Sequence, residues 1–256
     1  SEMCIRDRSD SGVSVYALKG DSSNDTPDAV FPNNWISFHH NNNAVIYPMF
    51  AENRRLERQS GILRKLSEKG INIEIIHDYS SYENQNKFLE GTGSMVLNRK
   101  NNIAYCALSN RSNKELFMKF CNDLNYSPVL FNSIYESKPI YHTNVLMSIC
   151  NNFSIICLES VKNQDEKQNL IKSLEDSELD IIDISYDQMS SYLGNCIQLV
   201  DKDLNPKLVM STNAFESIKS DQLARILKHT EIIHSDIKTI ENYGGGSARC
   251  MIAEIF

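Results

Sequence analysis

The sequence predicts one α/β domain in which β-hairpins alternate with single helices. The chain has 256 residues, of which 41% are hydrophobic and 23% are charged, and this composition suits a domain with a substantial core. Short runs of β-branched and apolar residues recur along the chain, with helical stretches between them. Two pairs of runs are joined by the turn-forming segments "RKNN" and "DKDLNP". A simple βαβ sheet does not produce this alternation.

The runs that predict strands share β-branched and aromatic residues and are bounded by polar turns. They begin at Val13, Ala44, Ile71, Ser94, Ile103, Asn144, Phe153, Leu179, Cys196, Lys207 and Glu231. Four stretches predict helices: "ENRRLERQSGILRKLSEKG", "SNKELFMKFCNDLN", "NQDEKQNLIKSLEDS" and "SDQLARILKH". The first ends on Gly70, which favours a helix C-terminus, and the others open with Ser or Asn as N-caps.

The stretch "SEMCIRDRSD" has neither an initiating Met nor an apolar h-region, so it is no signal peptide. Because it resembles the translation of a sequencing adapter, we expect residues 1–11 to be a non-native N-terminal segment. Residues 12–256 are expected to form a single catalytic domain that is truncated at its N-terminus. No linker or low-complexity tract divides this range, and no internal repeat is evident in it.

The composition argues against several classes of function. A net charge of -7 without a basic stripe gives no reason to expect nucleic acid. No apolar run approaches the roughly 18 residues of a membrane span. The seven cysteines form no CxxC pair, which argues against a disulfide framework and against a structural zinc site. We therefore expect a soluble cytoplasmic protein that binds no metal.

Four polar islands interrupt the apolar pattern, each at the end of a predicted strand. They are "TPDAVFPNNW" from Thr26, "FLEGTGSM" from Phe88, "YHTN" from Tyr141 and "GGGSARC" from Gly244. Loops set on a rigid sheet are where binding and catalytic residues concentrate. The islands are therefore the candidate sites.

Three side chains in these islands could carry chemistry. Cys250 follows three glycines, which allow backbone to approach a ligand, and a cysteine acts as a nucleophile when a partner takes its proton. His142 is the candidate partner, and Glu90 could accept hydrogen bonds from substrate N–H groups. A buried structural cysteine, a core histidine and a turn glutamate are the alternative interpretations. The "GTG" of "LEGTGSMV" does not match a dinucleotide motif, because Val96 stands where the third glycine is needed.

Together with "AYCALSNRS" and "TIENYGGGSARCMIAEIF", the islands resemble the guanidine-modifying superfamily of arginine deiminases and amidinotransferases, and most closely the citrulline-utilisation hydrolases. The resemblance covers residues 25–256 in the family's order. It implies a pentein fold, an α/β propeller of ββαβ units with pseudo-fivefold symmetry around a central site, with the first unit incomplete here.

The resemblance also implies roles for individual residues. Cys250 corresponds to the nucleophile, His142 to the general acid/base, and Glu90 to the carboxylate that holds the substrate nitrogens. Arg111 resembles the arginine that binds the substrate α-carboxylate, although it could also be a solvated residue before a helix. The further implied substrate-binding residues are Asn33, Gly245 and Gly246. Neither a metal nor an organic cofactor is implied, the partner is a small molecule, and the oligomeric state stays open.

Asn34 and Asn144 stand where arginine deiminases carry aspartates. A guanidinium has donors only and favours acceptors with negative charge, whereas a neutral ureido group has a carbonyl oxygen that needs donors. The two asparagines therefore favour a ureido substrate, unless they only cap turns. We expect hydrolysis of the ureido C–N bond of citrulline or a close analogue through a carbamoyl-thioester. The alternatives are a deiminase-like or amidinotransferase activity on a guanidino substrate, and a non-catalytic pentein binding protein or inactive fragment.

Overall fold

A computed structural model describes residues 9–18, 26–59 and 61–256, and shows a mixed α/β fold built from small sheets. Four of the sheets are three-stranded and share one design, in which the first two strands are antiparallel and the third runs parallel to the second. The first two sheets contain β1 (Ile36–His39), β2 (Asn43–Ile46), β3 (Glu74–Asp78), β4 (Val96–Asn98), β5 (Ile103–Ala107) and β6 (Ser127–Phe131). The others contain β9 (Met147–Ile149), β10 (Phe153–Ile156), β11 (Asp180–Asp183), β12 (Ile197–Val200), β13 (Pro206–Ser211) and β14 (Glu231–Ser235), and β7 (Ile134–Tyr135) pairs with β8 (Lys138–Pro139).

The helices are mostly short, and at least one lies between the second and third strands of each three-stranded sheet. The α-helices are α1 (Glu52–Arg55), α2 (Ile62–Ser67), α3 (Gly91–Ser94), α4 (Lys114–Asp123), α5 (Thr143–Leu146), α6 (Gln164–Asp176), α7 (Tyr186–Ser190), α8 (Thr212–Glu216), α9 (Ser220–Ile226) and α10 (Lys238–Gly244). Single 3₁₀ turns cover Pro32–Asn34, Leu56–Gln59, Ser80–Gln85 and Leu158–Ser160.

The order of strands and helices follows from local chain geometry. An antiparallel pair can be closed by a tight turn, and the turn between β1 and β2 places Asn41 and Asn42 at φ angles of 62° and 57°, where asparagine is tolerated. The third strand is parallel, so it needs a longer crossover, which α2, α4, α6 and α9 supply.

The outer helices bury an apolar face against the sheets. In α4 the buried residues Leu116, Phe117 and Phe120 recur at helical spacing, and α6 buries Leu170 and Leu174 in the same way. The predicted N-caps of these two helices are present, since the side chains of the residues that precede them accept hydrogen bonds from backbone N–H groups in the first turn. The N-cap predicted for "SDQLARILKH" is wrong, because Ser220 is the first residue of α9 and Lys219 stands at the N-cap. Besides Cys250, five cysteines of the described residues are free and buried, as expected of small apolar side chains; they are Cys106, Cys121, Cys150, Cys157 and Cys196.

Several predicted elements differ in the structure. The strand predicted from Val13 is wrong: residues 13–18 form no strand, and their apolar side chains pack without a ladder of backbone hydrogen bonds. The helix predicted over residues 52–70 is broken into α1, a 3₁₀ turn and α2, because Gly61 takes a left-handed φ of 67°. The strand predicted from Asn144 begins only at Met147, since the preceding four residues form α5. Strands β1, β6, β7 and β8 were not predicted.

A polar helical turn stands immediately before the first strand of each of the first three sheets. The turns are Pro32–Asn34 before β1, α3 before β4 and α5 before β9, and each belongs to a polar island. The hydroxyl of Thr143, at the start of α5, links two other segments by hydrogen bonds. It accepts from Ala107 N at 2.8 Å and donates to Ser94 O at 2.5 Å. The second and third islands thus meet at Thr143.

Among the described residues, no helix combines the length and apolar character that crossing a membrane requires. Nor does this part of the chain contain a group of three His, Cys, Asp or Glu side chains arranged to hold a metal ion.

Replacing Thr143 tests whether this hydroxyl holds the islands together. We expect Thr143→Ala to lower the free energy of unfolding by about 1–3 kcal/mol, because it leaves a buried N–H and a buried carbonyl without their partner. Thr143→Ser keeps the hydroxyl, so its free energy of unfolding should fall much less. Urea unfolding of both variants measures the difference, and equal losses would show that the methyl group, not the hydroxyl, matters.

Candidate active site

Cys250 lies at the end of a glycine loop that folds against an aromatic ring. Helix α10 stops at Gly244, and Gly245 turns the chain with a left-handed φ of 66°. A β-carbon on Gly244 or Gly246 would lie 2.9 Å from the ring of Phe31, so only glycine lets the loop lie this close. The hydroxyl of Tyr141 donates to Gly245 O at 2.5 Å. The loop is therefore held on both sides, and Cys250 is 5% exposed.

Two asparagine amides contact the sulfur of Cys250. Asn144 Nδ2 lies 3.4 Å from Sγ, and Asn195 Nδ2 lies 3.2 Å from it. The Asn195 side chain also donates to Asn144 O at 2.9 Å. Both asparagines are buried. Asn144 was predicted at the site, whereas Asn195 was not.

A buried carboxylate organises the other side of the site. Glu90 is fully buried, and its Oε2 receives His142 Nε2 at 2.7 Å and Arg111 Nη1 at 3.3 Å. Its Oε1 accepts from the backbone N–H of Phe50 at 2.9 Å. The partners of Glu90 thus come from three other segments of the chain. Two of these partners, His142 and Arg111, are predicted site residues.

The pKa shifts of this pair define the resting protonation state. Burial raises the pKa of the Glu90 carboxyl, but the hydrogen bond and charge of His142 and the charge of Arg111 lower it further, to about 2. Burial lowers the pKa of the His142 imidazole below 6.5, and the Glu90 carboxylate offsets this only in part. At neutral pH the site holds an ionised carboxylate against a neutral imidazole.

The tautomer of His142 follows from this contact. An ionised carboxylate only accepts hydrogen bonds, so His142 Nε2 carries the proton and Nδ1 is left as the basic nitrogen. A β-carbon on Gly93 would lie 3.0 Å from Nδ1 and would collide with the amide nitrogen of Asn34. Asn34 and the basic nitrogen of His142 therefore lie on either side of Gly93. Because Gly93 has no side chain, nothing from this residue fills the space between them.

Arg54 fixes the orientation of the Asn34 amide. Its guanidinium donates to Asn34 Oδ1 at 2.7 Å and pairs with Glu57 through contacts of 2.8 and 3.0 Å. It also donates to Phe31 O at 3.0 Å. A guanidinium has no acceptor, so the oxygen of Asn34 must face Arg54 and the NH₂ group must face Gly93. Arg54 and Glu57 are 4% and 2% exposed.

Several buried amide atoms at the site have no hydrogen-bond partner within the described part of the chain. They are both polar atoms of Asn33, Nδ2 of Asn34 and Oδ1 of Asn144. Buried polar groups are nearly always satisfied, and an unpaired one costs about 1–3 kcal/mol. Asn144 contacts Cys250, and Asn34 lies across Gly93 from His142, so these unpaired atoms indicate a site that is built to take a polar ligand.

Arg111 lies at the edge of the site. Its guanidinium is 5.7 Å from the ring centroid of Phe50 and 5.4 Å from that of Tyr141, and its side chain is 31% exposed. Beyond Phe50 a cavity of about 520 Å³ opens to the surface. Arg55, Phe88 and Asn113 are among its lining residues, and it touches neither Cys250 nor His142.

The structure connects most predicted site residues through direct contacts. Cys250 touches Asn144, and Glu90 touches His142 and Arg111, as described above. A β-carbon on Gly91, next to Glu90, would collide with Asn33 O. Asn34 lies across Gly93 from His142, and Gly245 and Gly246 form the loop before Cys250.

The sequence patterns did not identify Asn195, Arg54 or Glu57 as site residues. A repeat could have revealed the first: Asn34 and Asn195 each stand two residues before the first strand of their sheet, in "NWI" and "NCI", and Cys250 opens a similar "CMI". Arg54 and Glu57 look in sequence like an ordinary pair on a helix surface.

Comparison with known proteins gives a family match over almost the whole chain. The model of the family described as N,N dimethylarginine dimethylhydrolase, eukaryotic, matches residues 2–256. A comparison with curated proteins gave no match.

Solved structures with a similar fold include ArgZ, an arginine dihydrolase from the ornithine-ammonia cycle in cyanobacteria, with a TM-score of 0.74 and 12% identity over 97% of this chain and 36% of that chain. The N-terminal domain of an ArgZ variant, covalently bonded to a reaction intermediate, has a TM-score of 0.74 and 13% identity over 97% of this chain and 82% of that chain. A dimethylarginine dimethylaminohydrolase adduct with 4-chloro-2-hydroxymethylpyridine has a TM-score of 0.66 and 18% identity over 98% of this chain and 87% of that chain. The chain thus spans about a third of full-length ArgZ.

The protonation state of the site predicts how stability depends on pH. Below pH 6.5 the unfolded His142 gains a proton that the folded one resists, and below pH 4.5 the same holds for Glu90, whose folded pKa is about 2. The free energy of unfolding should therefore fall as the pH is lowered through both ranges.

Glu90→Gln isolates the carboxyl contribution. Between pH 4.5 and 3.5, we expect the free energy of unfolding of the variant to fall by about 1 kcal/mol less than that of the wild type. Urea unfolding measures both. Glu68→Gln, which changes an exposed glutamate, is the control and should keep the wild-type slope. Identical slopes for all three proteins would contradict the depressed pKa of Glu90.

Proposed function

The chain belongs to the eukaryotic N,N dimethylarginine dimethylhydrolase family, within the guanidine-modifying pentein superfamily, and we propose that it is a cysteine hydrolase that cleaves the ureido C–N bond of citrulline or a close analogue. The observation that carries the proposal is the orientation of the Asn34 amide. Because Arg54 occupies its oxygen, Asn34 offers the site an NH₂ donor, and that donor lacks a partner among the described residues. A donor suits the carbonyl oxygen of a ureido group and would oppose the N–H groups of a guanidinium.

The charges around the site also favour a neutral group. Glu90 is paired with Arg111, Arg54 is paired with Glu57, and His142 is neutral at rest. These pairs leave no surplus negative charge to balance a guanidinium, whose desolvation without a counter-charge costs several kcal/mol. An uncharged ureido group needs no such compensation.

In the proposed first half-reaction, His142 Nδ1 takes the proton of the Cys250 thiol and the sulfur attacks the ureido carbon. The developing oxyanion is stabilised by the NH₂ group of Asn34, a donor whose loss can cost about 3–4 kcal/mol. The C–N bond to the amino-acid side chain then breaks, and His142 passes the proton to the departing amine. Ornithine leaves, and the carbamoyl group stays on Cys250 as a thioester.

In the second half-reaction, His142 removes a proton from a water that attacks the thioester carbon. The C–S bond breaks, the thiol is restored, and carbamic acid decomposes to ammonia and carbon dioxide. Glu90 holds the His142 tautomer throughout and accepts N–H donors of the substrate. The similar ArgZ domain that carries a covalently bonded intermediate supports a covalent route.

The remaining roles concern the amino-acid end of the substrate and the frame around it. Arg111, part-exposed and stacked between two aromatic rings, is proposed to bind the α-carboxylate. The buried, free cysteines suit a reducing compartment, and we propose a cytoplasmic location.

We also propose that residues 12–256 form one propeller of five units. Four units are the described three-stranded sheets. Residues 13–18 and 251–256 would form the fifth, because Val13 and Val15 share an apolar cluster with Met251 and Ile252. Leu18 shares another cluster with Ala253 and Ile255.

The second candidate is hydrolysis of a guanidino group. The match to the dimethylarginine dimethylhydrolase family and the likeness to ArgZ, an arginine dihydrolase, favour it. The ionised Glu90 could accept N–H donors of such a substrate. In this case the product of the first hydrolysis would itself be a ureido compound.

Direct incubation distinguishes the two candidates. We expect the purified protein to convert citrulline to ornithine with release of ammonia, and to act on arginine and dimethylarginine more slowly. Amino-acid analysis of the products, with Cys250→Ser as the inactive control, measures both reactions. Faster turnover of arginine, with citrulline accumulating, would reject the ureido assignment.

Asn34→Asp tests the donor directly. The new carboxylate would pair with Arg54 and turn an acceptor towards the ureido oxygen, so kcat for citrulline should fall about 10²-fold or more. Asn98→Asp changes another buried asparagine, in the β4–β5 hairpin, and should leave kcat near the wild-type value. Wild-type kcat in Asn34→Asp would mean that Asn34 does not touch the reacting group.

A further inference from the structure

Asn195 makes three contacts that all bear on Cys250. Its Nδ2 contacts the sulfur at 3.2 Å and donates to Asn144 O at 2.9 Å, and its Oδ1 accepts from the backbone N–H of Cys250 at 3.4 Å. The orientation of this amide is determined by the backbone, since a carbonyl must receive the NH₂ group and an N–H must meet the oxygen. The NH₂ group therefore faces the sulfur.

Both hydrogen bonds that the structure shows at the sulfur of Cys250 come from asparagine amides. Hydrogen bonds to an ionised acceptor are stronger than those to a neutral one, so these donors favour the thiolate over the thiol. His142, which is neutral at rest, does not supply a resting counter-charge. Uncharged donors are thus the groups that can stabilise the thiolate before substrate arrives.

The local backbone brings Asn195 to this place. A β-carbon on Gly194 would lie 2.5 Å from Val145 O and 2.9 Å from the carbonyl carbon of Leu146, so a glycine is needed for the two segments to touch. This approach sets the Asn195 amide against the backbone of Asn144. The turn before β9 and the segment before β12 therefore meet at the sulfur.

We infer that Asn195 is a positioning residue that holds Cys250 and favours its thiolate, acting together with Asn144. The inference rests on the proposed role of Cys250 as nucleophile. It assigns stabilisation of the thiolate to two neutral amides from different sheets, beside His142 as the base that takes the proton. Asn144 belongs to a motif of the family resemblance, whereas Asn195 is assigned by the geometry alone.

The test is the pH dependence of Cys250 alkylation by iodoacetamide, with the Cys250 peptide quantified by mass spectrometry and the other cysteines as internal references. Asn195→Asp keeps the shape and the acceptor for Cys250 N but turns a carboxylate oxygen to the sulfur. Asn195→Ala removes the amide. Both should move the pH midpoint of alkylation upwards by about one unit or more and slow the reaction at pH 7 about tenfold.

Asn98→Ala is the control, because it truncates a buried asparagine away from the sulfur and should leave the midpoint unchanged. Unchanged midpoints in both Asn195 variants, beside a fast wild-type reaction, would overturn the inference and leave Cys250 as nucleophile. A wild-type Cys250 that reacts no faster than the other cysteines would instead overturn the proposed function and this inference together.

A second measurement uses the wild-type protein and does not depend on folding of the variants. The side-chain amide NMR signals of Asn195 should shift with pH at the midpoint found for alkylation, and this titration should vanish in Cys250→Ser. If the chemical shifts of the Asn195 amide do not change at the pH where Cys250 ionises, contact between the two groups is contradicted.

Discussion

The buried carboxylate of Glu90 is the constraint to which the site conforms. An ionised group without exposure to water must find its partners inside the protein, and removing one partner of a buried pair costs about 3–5 kcal/mol. Glu90 finds them in the backbone of Phe50, in His142 and in Arg111, which come from three separate segments. Satisfying this one charge therefore brings the second and third islands together and sets the tautomer of the histidine.

Asparagine amides perform a complementary task. Glu90 is fully compensated, whereas the amides of Asn33, Asn34 and Asn144 keep polar atoms without partners. One polar atom of each amide is paired: Arg54 donates to the oxygen of Asn34, and the NH₂ group of Asn144 contacts the sulfur of Cys250. These unsatisfied atoms make folding less favourable. A ligand that completes their hydrogen bonds removes this cost when it binds.

The sequence predicts much of this arrangement, and the failures have physical causes. Glycines and polar residues between apolar runs identify the islands, and local capping predicts the helices that Asn113 and Asn163 open. Strand β1 was missed because all four of its residues are buried, so no alternation marks it. Strand β6 begins with a serine and Pro128, which are typical of a turn but are tolerated in an edge strand.

Contacts between distant segments explain what the sequence could not predict at the site. Asn195 lies near a predicted strand like many other polar residues, and only packing of two sheets brings it to the sulfur. The amide orientation of Asn34 depends on Arg54, which belongs to a helix 20 residues further along the chain. Pattern analysis finds residues of the right chemistry, but which end of an amide faces a ligand is decided by the tertiary structure.

The partners of the Cys250 sulfur are separated from it by 106 and 55 positions along the chain. Contacts of such long range form late in folding, after most of the loop-closure entropy has been lost. Local opening of the third or fourth sheet would detach one amide while leaving the rest of the protein ordered. The stabilisation of this thiolate by amides is therefore a property of the completed fold, and partly folded molecules should carry a thiol of ordinary reactivity.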